Sequence, residues 1–71
     1  MAVEQLLVPA IASADAVRTI SSAVRAVPGV RLVTVNLATR SVRVEHDGSV
    51  RPEVIIQAIQ RAGYAEVAIL M

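Results

Sequence analysis

Val30-Arg31-Leu32-Val33-Thr34-Val35-Asn36-Leu37, Ala38-Thr39-Arg40, Ser41-Val42-Arg43-Val44-Glu45 is the stretch that decides the fold. Val33, Val35 and Leu37 share one face of an extended chain, and Thr34 and Asn36 share the other. After a short connection, Val42 and Val44 fall on one side and Ser41, Arg43 and Glu45 on the other. Two alternating runs joined so closely predict an antiparallel β-hairpin with one apolar face. An apolar sheet face must be covered, so the flanking sequence has to supply what packs on it.

Upstream, Val17, Ile20, Val24 and Val27 recur at helical spacing,. Ser13 offers an N-cap oxygen, Asp15 puts a negative charge in the first turn, and Pro28-Gly29 ends the segment. Before it, Glu4 to Val8 reads as a strand closed by Pro9, with Leu6 and Val8 on one face and Gln5 and Leu7 on the other,. Downstream, His46-Asp47-Gly48-Ser49 is turn chemistry, and Pro52 with Glu53 opens a second helix. Its stripe is Ile55, Ala58, Ile59 and Ala62, and Gly63 closes it. Tyr64 to Leu70 then predicts a last strand.

The order is β-α-β-β-α-β. The solution that buries every apolar face is a ferredoxin-like α+β sandwich, a four-stranded antiparallel sheet with both helices on one face. Right-handed crossovers make the first and third strands central. The expected core is Leu6, Val8, Val17, Ile20, Val24, Val33, Val35, Val42, Val44, Ile55 and Ile59. We expect one domain over residues 1–71, without linker, repeat or low-complexity stretch.

Composition narrows the function classes. With 55% hydrophobic and 18% charged residues, the chain is too apolar for a disordered tail,. There is no cysteine, hence no disulfide and no thiolate ligand,. One Tyr and no Phe or Trp leave no stacking platform for nucleobases, and a net charge of +1 gives no bulk attraction to polyanions,. The basic residues are all Arg, which we read as compositional bias because no Arg cluster accompanies it. Residues 5–14 are uncharged but far short of the about 20 apolar residues a membrane span needs, and the first charge is Glu4 rather than a basic n-region,. The expectation is a cytoplasmic domain, or the cytosolic part of a larger protein, with no nucleic-acid partner and no direct membrane insertion.

Together Val17, Ile20, Val24, Pro28-Gly29-Val30, Val33 to Thr39, Val42, Val44, and Ala58-Ile59 with Ala62-Gly63-Tyr64 make a specific pattern over almost the whole chain. It resembles the heavy-metal-associated domain of small copper chaperones and of the N-termini of metal-transporting P-type ATPases. Members carry Met-x-Cys-x-x-Cys at the junction of strand 1 and helix 1. Counted back from Pro28, that motif falls on Ile11 to Ala16, with Ile11 at the Met position and Ser13 and Ala16 at the Cys positions. Both thiolates are gone, and soft ions such as Cu(I) select thiolates. The resemblance also implies that Tyr64 sits beside this degenerate loop, where it either packs or contacts a partner.

Other candidate sites are sparse. Ser13 and Asp15 read as an N-cap with a dipole-favoured acid, or as a weak oxygen site too poor in ligands for a hard cation. Glu45-His46-Asp47 is the only ligand-rich triplet, but strand neighbours point to opposite faces and zinc wants three or four protein ligands. We expect a solvated strand end there, with His46 at the surface. His46 lies at the opposite end from Ser13, so no Ser-His pair forms, and no phosphate loop or Lys is present. No enzyme is expected of the domain itself, although a parent protein could be a metal-transporting ATPase.

Three functions remain: a protein-interaction or regulatory module of a metal (copper) transport system, a metal-ion-binding chaperone with an unusual weak site, and a purely structural remnant. No cofactor is expected; Cu(I) or Zn(II) would enter only if the motif were misaligned. The expected partner is another domain of a metal-transport system, or a second copy through the open sheet face or an edge. Leu7, Leu32 and Thr34, with Arg31 nearby, are expected on that face, joined by Ala68 and Leu70 or by Val67 and Ile69. Ile56 is expected as an exposed aliphatic on helix 2.

Overall fold

The computed structural model describes residues 1–70. Its elements are β1 (Ala2–Leu7), α1 (Ala14–Arg25), β2 (Val30–Asn36), β3 (Ser41–His46), α2 (Pro52–Arg61) and β4 (Ala68–Ile69). The sheet order is β2-β3-β1-β4, and all pairings are antiparallel. The first and third strands are central, as the crossover rule requires.

Alternation sorts the sheet into two faces. Leu6 lies opposite Val42, while Val33 and Val35 lie opposite Val44 and Val42. These side chains form one cluster with Ile20 and Val24 of α1 and Ile55 and Ile59 of α2. Both helices therefore cover the same face, which is the ferredoxin-like sandwich. Helix α1 starts where Ser13 caps it and stops at Arg25, before Pro28 can enter,. Helix α2 begins on Pro52, whose missing N–H costs nothing at that position,.

Most of the expected core is buried, with Val17 and Val35 only half-buried at its margin. Four further residues complete it: Ile11, Ala16, Val27 and Val50. Ile11 and Val50 lie in loops, where periodicity gives no signal. Val27 lies just beyond the helix, yet still drops into the core because its N–H bonds the Val24 carbonyl at 3.0 Å.

Four expectations are corrected. Strand β1 starts earlier than Glu4, because Ala2 and Val3 find partners in His46 and Glu45. The last strand is two residues rather than seven, since only Ala68 and Ile69 pair with β1. The open face carries no continuous apolar patch. Ala68 is opposite Leu7, which places Ala68 and, by alternation, Leu70 on that face,. Gln5, Arg43 and Thr34 cross its centre and separate Leu70 at one edge from Leu32 at the other. Ile56 is half-buried against the core rather than exposed.

Gly29 joins α1 to the sheet under a tight constraint. Its φ is +95°, and a Cβ there would stand 2.8 Å from Val50 Cγ2, 2.9 Å from Ser49 Oγ and 3.0 Å from Asp47 Oδ1. Its carbonyl accepts the Asp47 N–H at 3.1 Å. Gly29→Ala is thus both strained in backbone and blocked in space, and urea denaturation should show a loss of at least about 1 kcal/mol. Ile20→Ala and Ile59→Ala, each fully buried, should each cost about 2–5 kcal/mol. Melting of both Ile variants at the parent temperature would contradict the helix faces drawn here.

Candidate functional site

The loop between β1 and α1 is held from both sides. The Val8 N–H donates to the Arg40 carbonyl at 2.9 Å, and the Ile11 N–H donates to the Val8 carbonyl at 3.1 Å. Arg40, in the hairpin between β2 and β3, adopts φ 57° and donates from Nη1 to the Pro9 carbonyl at 3.3 Å. The hairpin tip therefore straps the loop, and Ile11 beneath it is fully buried.

The other candidate positions are occupied by structural work. The Ser13 Oγ accepts the Ala16 N–H at 3.3 Å with extended backbone, as an N-cap does,. Asp15 is exposed in the first turn and bonded to Arg18 one turn on. Ala16 is 4% exposed and belongs to the core. Tyr64 is half-buried and packs against the same core. So Ile11 and Ala16 meet in the interior with Tyr64 at its margin, while Ser13 and Asp15 face solvent. Nothing in this set offers a soft ligand, and an alanine offers none of any kind. The donor set does not fit a Cu(I) ion as cargo.

The second candidate cluster diverges. Glu45 lies on the open face, 4.0 Å from Arg43 Nη1. Asp47 is exposed, with Oδ1 accepting the Ser49 N–H at 2.9 Å. His46 is not at a solvated strand end. It closes β3 on the helix-covered face, is 2% exposed, and is the one buried polar side chain among the described residues. Its Nδ1 accepts the Gly48 N–H at 3.1 Å, which places the ring proton on Nε2, facing Glu4 Oε2 at 3.3 Å. Burial is possible because both ring nitrogens are satisfied. Among the described residues, no three His, Cys, Asp or Glu side chains come together as a metal-holding group.

Glu4 is the partner that sequence reasoning missed. The signal was available: Glu4 shares the face of Leu6 and Val8, so a carboxylate at that position needs a partner. The hydrogen bonds from the Ser49 hydroxyl and N–H hold the Asp47 carboxyl below its usual value of 3.8, helped by the positive charge of Arg31,.

Comparison with known proteins gives a consistent set. The model of the heavy-metal-associated domain matches residues 5–65. Copper-transporting ATPase 2 of Rhizobium meliloti (strain 1021) is 44% identical over 52 residues, 73% of this chain and 6% of the ATPase. The chain thus spans only about 6% of the length of the curated relatives it matches. A crystal structure of a copper binding domain from a P-type ATPase superposes with a TM-score of 0.93 at 29% identity, covering 100% of this chain and 96% of that one. The Atx1-Cu(I)-Ccc2a complex gives 0.85 at 26% identity, covering 97% and 94%.

Two measurements check this geometry. Ser13→Ala should lower stability by about 0.5–2 kcal/mol through loss of the cap. Asp47 has its folded pKa depressed, so its contribution is present above the unfolded value and is lost as pH falls through the folded one,. The melting difference between the parent and Asp47→Asn should therefore shrink as pH falls below about 4; a difference constant down to strong acid would rule this contribution out.

Proposed function

This chain belongs to the heavy-metal-associated domain family, and we propose that it serves a copper-transport system as a protein-interaction or regulatory module rather than as a carrier of the ion. On this reading it is an N-terminal domain of a metal-transporting P-type ATPase, with another protein domain of that system as its partner. The observation that carries the reading is the fate of the two ligand positions. Ser13 is committed to capping α1, and Ala16 is buried in the core. The scaffold is kept while the chemistry is absent, which leaves protein contact as the property a retained fold can still supply. No helix among the described residues is long and apolar enough to cross a membrane. Any anchoring would fall to other parts of such a transporter, and the domain acts on its aqueous side.

The weak-site reading receives less support. Glu45, His46 and Asp47 each bond a different neighbour, and His46 Nδ1 is already used. A purely structural remnant remains the contrasting outcome, distinguished by the absence of any binding partner.

The test is a Cu(I) competition titration. We expect no binding tighter than about micromolar, because a two-thiolate site is missing. A stoichiometric, much tighter Cu(I) complex of the parent would sink the proposal. Ser13→Cys with Ala16→Cys should create tight binding, since the loop between Pro9 and Ala16 is already held by Arg40 and Ile11. A folded double variant that ignores Cu(I) would show that the loop has diverged from the family geometry. The melting curve of the parent should not move on addition of a chelator, because nothing in its core is organised by metal.

A further inference from the structure

We infer that β2 pairs with β2 of a second copy of this chain, antiparallel and centred on Thr34, to join two sheets into one. This rests on the reading that the domain works by protein contact, and it names the partner of one surface.

The two edges of the sheet are unequal. The β4 edge is two residues long, whereas β2 is an outer strand of seven residues. An edge strand presents backbone N–H and C=O groups that only another extended chain can pair in a row. Folded proteins guard such edges with charge, proline or bulges. Here the guard is confined to one end, where Arg31 is bulged between Val30 and Leu32. From Leu32 to Asn36 the strand is regular, uncharged, and free of Pro and Gly. Leu32 is 51% exposed on this strand, and Leu37 just past its end is 45% exposed.

The strand is compatible with a second copy of itself, and its charge sets the direction. The regular segment Leu32–Asn36 has Thr34 at its midpoint. A two-fold axis there sets Thr34 against Thr34 of the copy, Val33 against Val35, and Leu32 against Asn36. Val–Val and Thr–Thr cross-strand pairs are favourable. Arg31 then lies opposite Leu37, so the two Arg31 side chains are six residues apart along the strand, about 20 Å,. That is well beyond a screening length of about 8 Å. Parallel pairing would instead bring the two arginines within about 5 Å of each other. Self-pairing is therefore antiparallel, and it has no unpaired charge to bury.

The Thr34 side chain lies on the open face and is exposed, so it can be replaced without touching the core. Sedimentation equilibrium of the parent, reaching millimolar concentration, should show a monomer–dimer equilibrium. Thr34→Lys and Thr34→Glu should each remain monomeric while retaining the parent's circular dichroism, because each sets like charges across the axis. An equimolar mixture of the two should dimerise again. The chain has no cysteine of its own, so Thr34→Cys gives a clean second readout. Directly opposed residues sit about 4.5–5.5 Å apart at Cα, within disulfide range, so Thr34→Cys should cross-link on mild oxidation. Asn36→Cys should not, because its two-fold mate is about 14 Å away. A parent that stays monomeric throughout would overturn the proposal and leave the edge to a strand of some other protein. So would a dimer indifferent to Thr34→Lys, or one that cross-links as readily through Asn36→Cys. Tight Cu(I) binding would remove the contact-only reading above, yet leave these measurements to decide edge pairing on their own.

Discussion

One aliphatic layer governs this molecule. Without Phe or Trp, the space between sheet and helices has to be filled by Leu, Ile, Val and Ala, and such a layer works only if it is closed everywhere,. Leu6, Val8, Ile20, Val24, Val42, Val44, Ile55 and Ile59 have no exposed surface at all. Closure at the two ends falls to loop residues: Ile11 under the β1–α1 connection and Val50 before α2. The loop that could have been a site is therefore part of the interior. Its conformation is set by burial of Ile11 and Ala16 and by the Arg40 strap.

This explains why the same residues are poor chemistry and good structure. A soft-metal site needs two thiolates free to converge at the mouth of the loop. Here Ala16 faces inward, and Ser13 spends its oxygen on the helix N-terminus. Each choice favours the ordered, metal-independent form of the loop. The cap satisfies an N–H that would otherwise be orphaned, and the alanine fills core volume without a polar group.

The architecture was legible in the sequence because nearly every element carries its own period and its own stop. Thr34 and Asn36 alternating with Val33, Val35 and Leu37 leave no doubt about a strand, and Pro28-Gly29 and Pro52 mark boundaries that no packing can override. The start of α1 was legible too, because Ser13 offers the cap oxygen that the helix uses. Three features were not. Val67 to Leu70 is apolar throughout, so its pattern gave neither the length of β4 nor its face; pairing with Leu6 and Leu7 decided both. Ile11 and Val50 are buried from loops, where no period exists to reveal them. His46 followed two apolar core positions at the correct alternation, Val42 and Val44, but turn-forming neighbours pulled its reading outward. The two-residue period was the better guide.

His46 also bears on why the sheet has a single register. Leu6, Val8, Val42 and Val44 are nearly interchangeable, so a two-residue slip of β1 away from the hairpin tip would still set apolar on apolar, Leu6 on Val44 and Val8 on Val42,. Two polar contacts at opposite ends remove that degeneracy. At one end, the Val8 N–H meets the Arg40 carbonyl; at the other, Glu4 Oε2 meets the buried His46 ring. A slip toward the hairpin tip separates Glu4 from Nε2 and leaves the buried His46 ring and a half-buried carboxylate without each other,. A slip the other way breaks the Val8–Arg40 bond and carries the β1–α1 loop away from the strap that seats Ile11. The hydrophobic layer supplies most of the stability, but it cannot choose among its own registers. That choice falls to one histidine, one glutamate and one backbone hydrogen bond, and it is what fixes the degenerate loop in place.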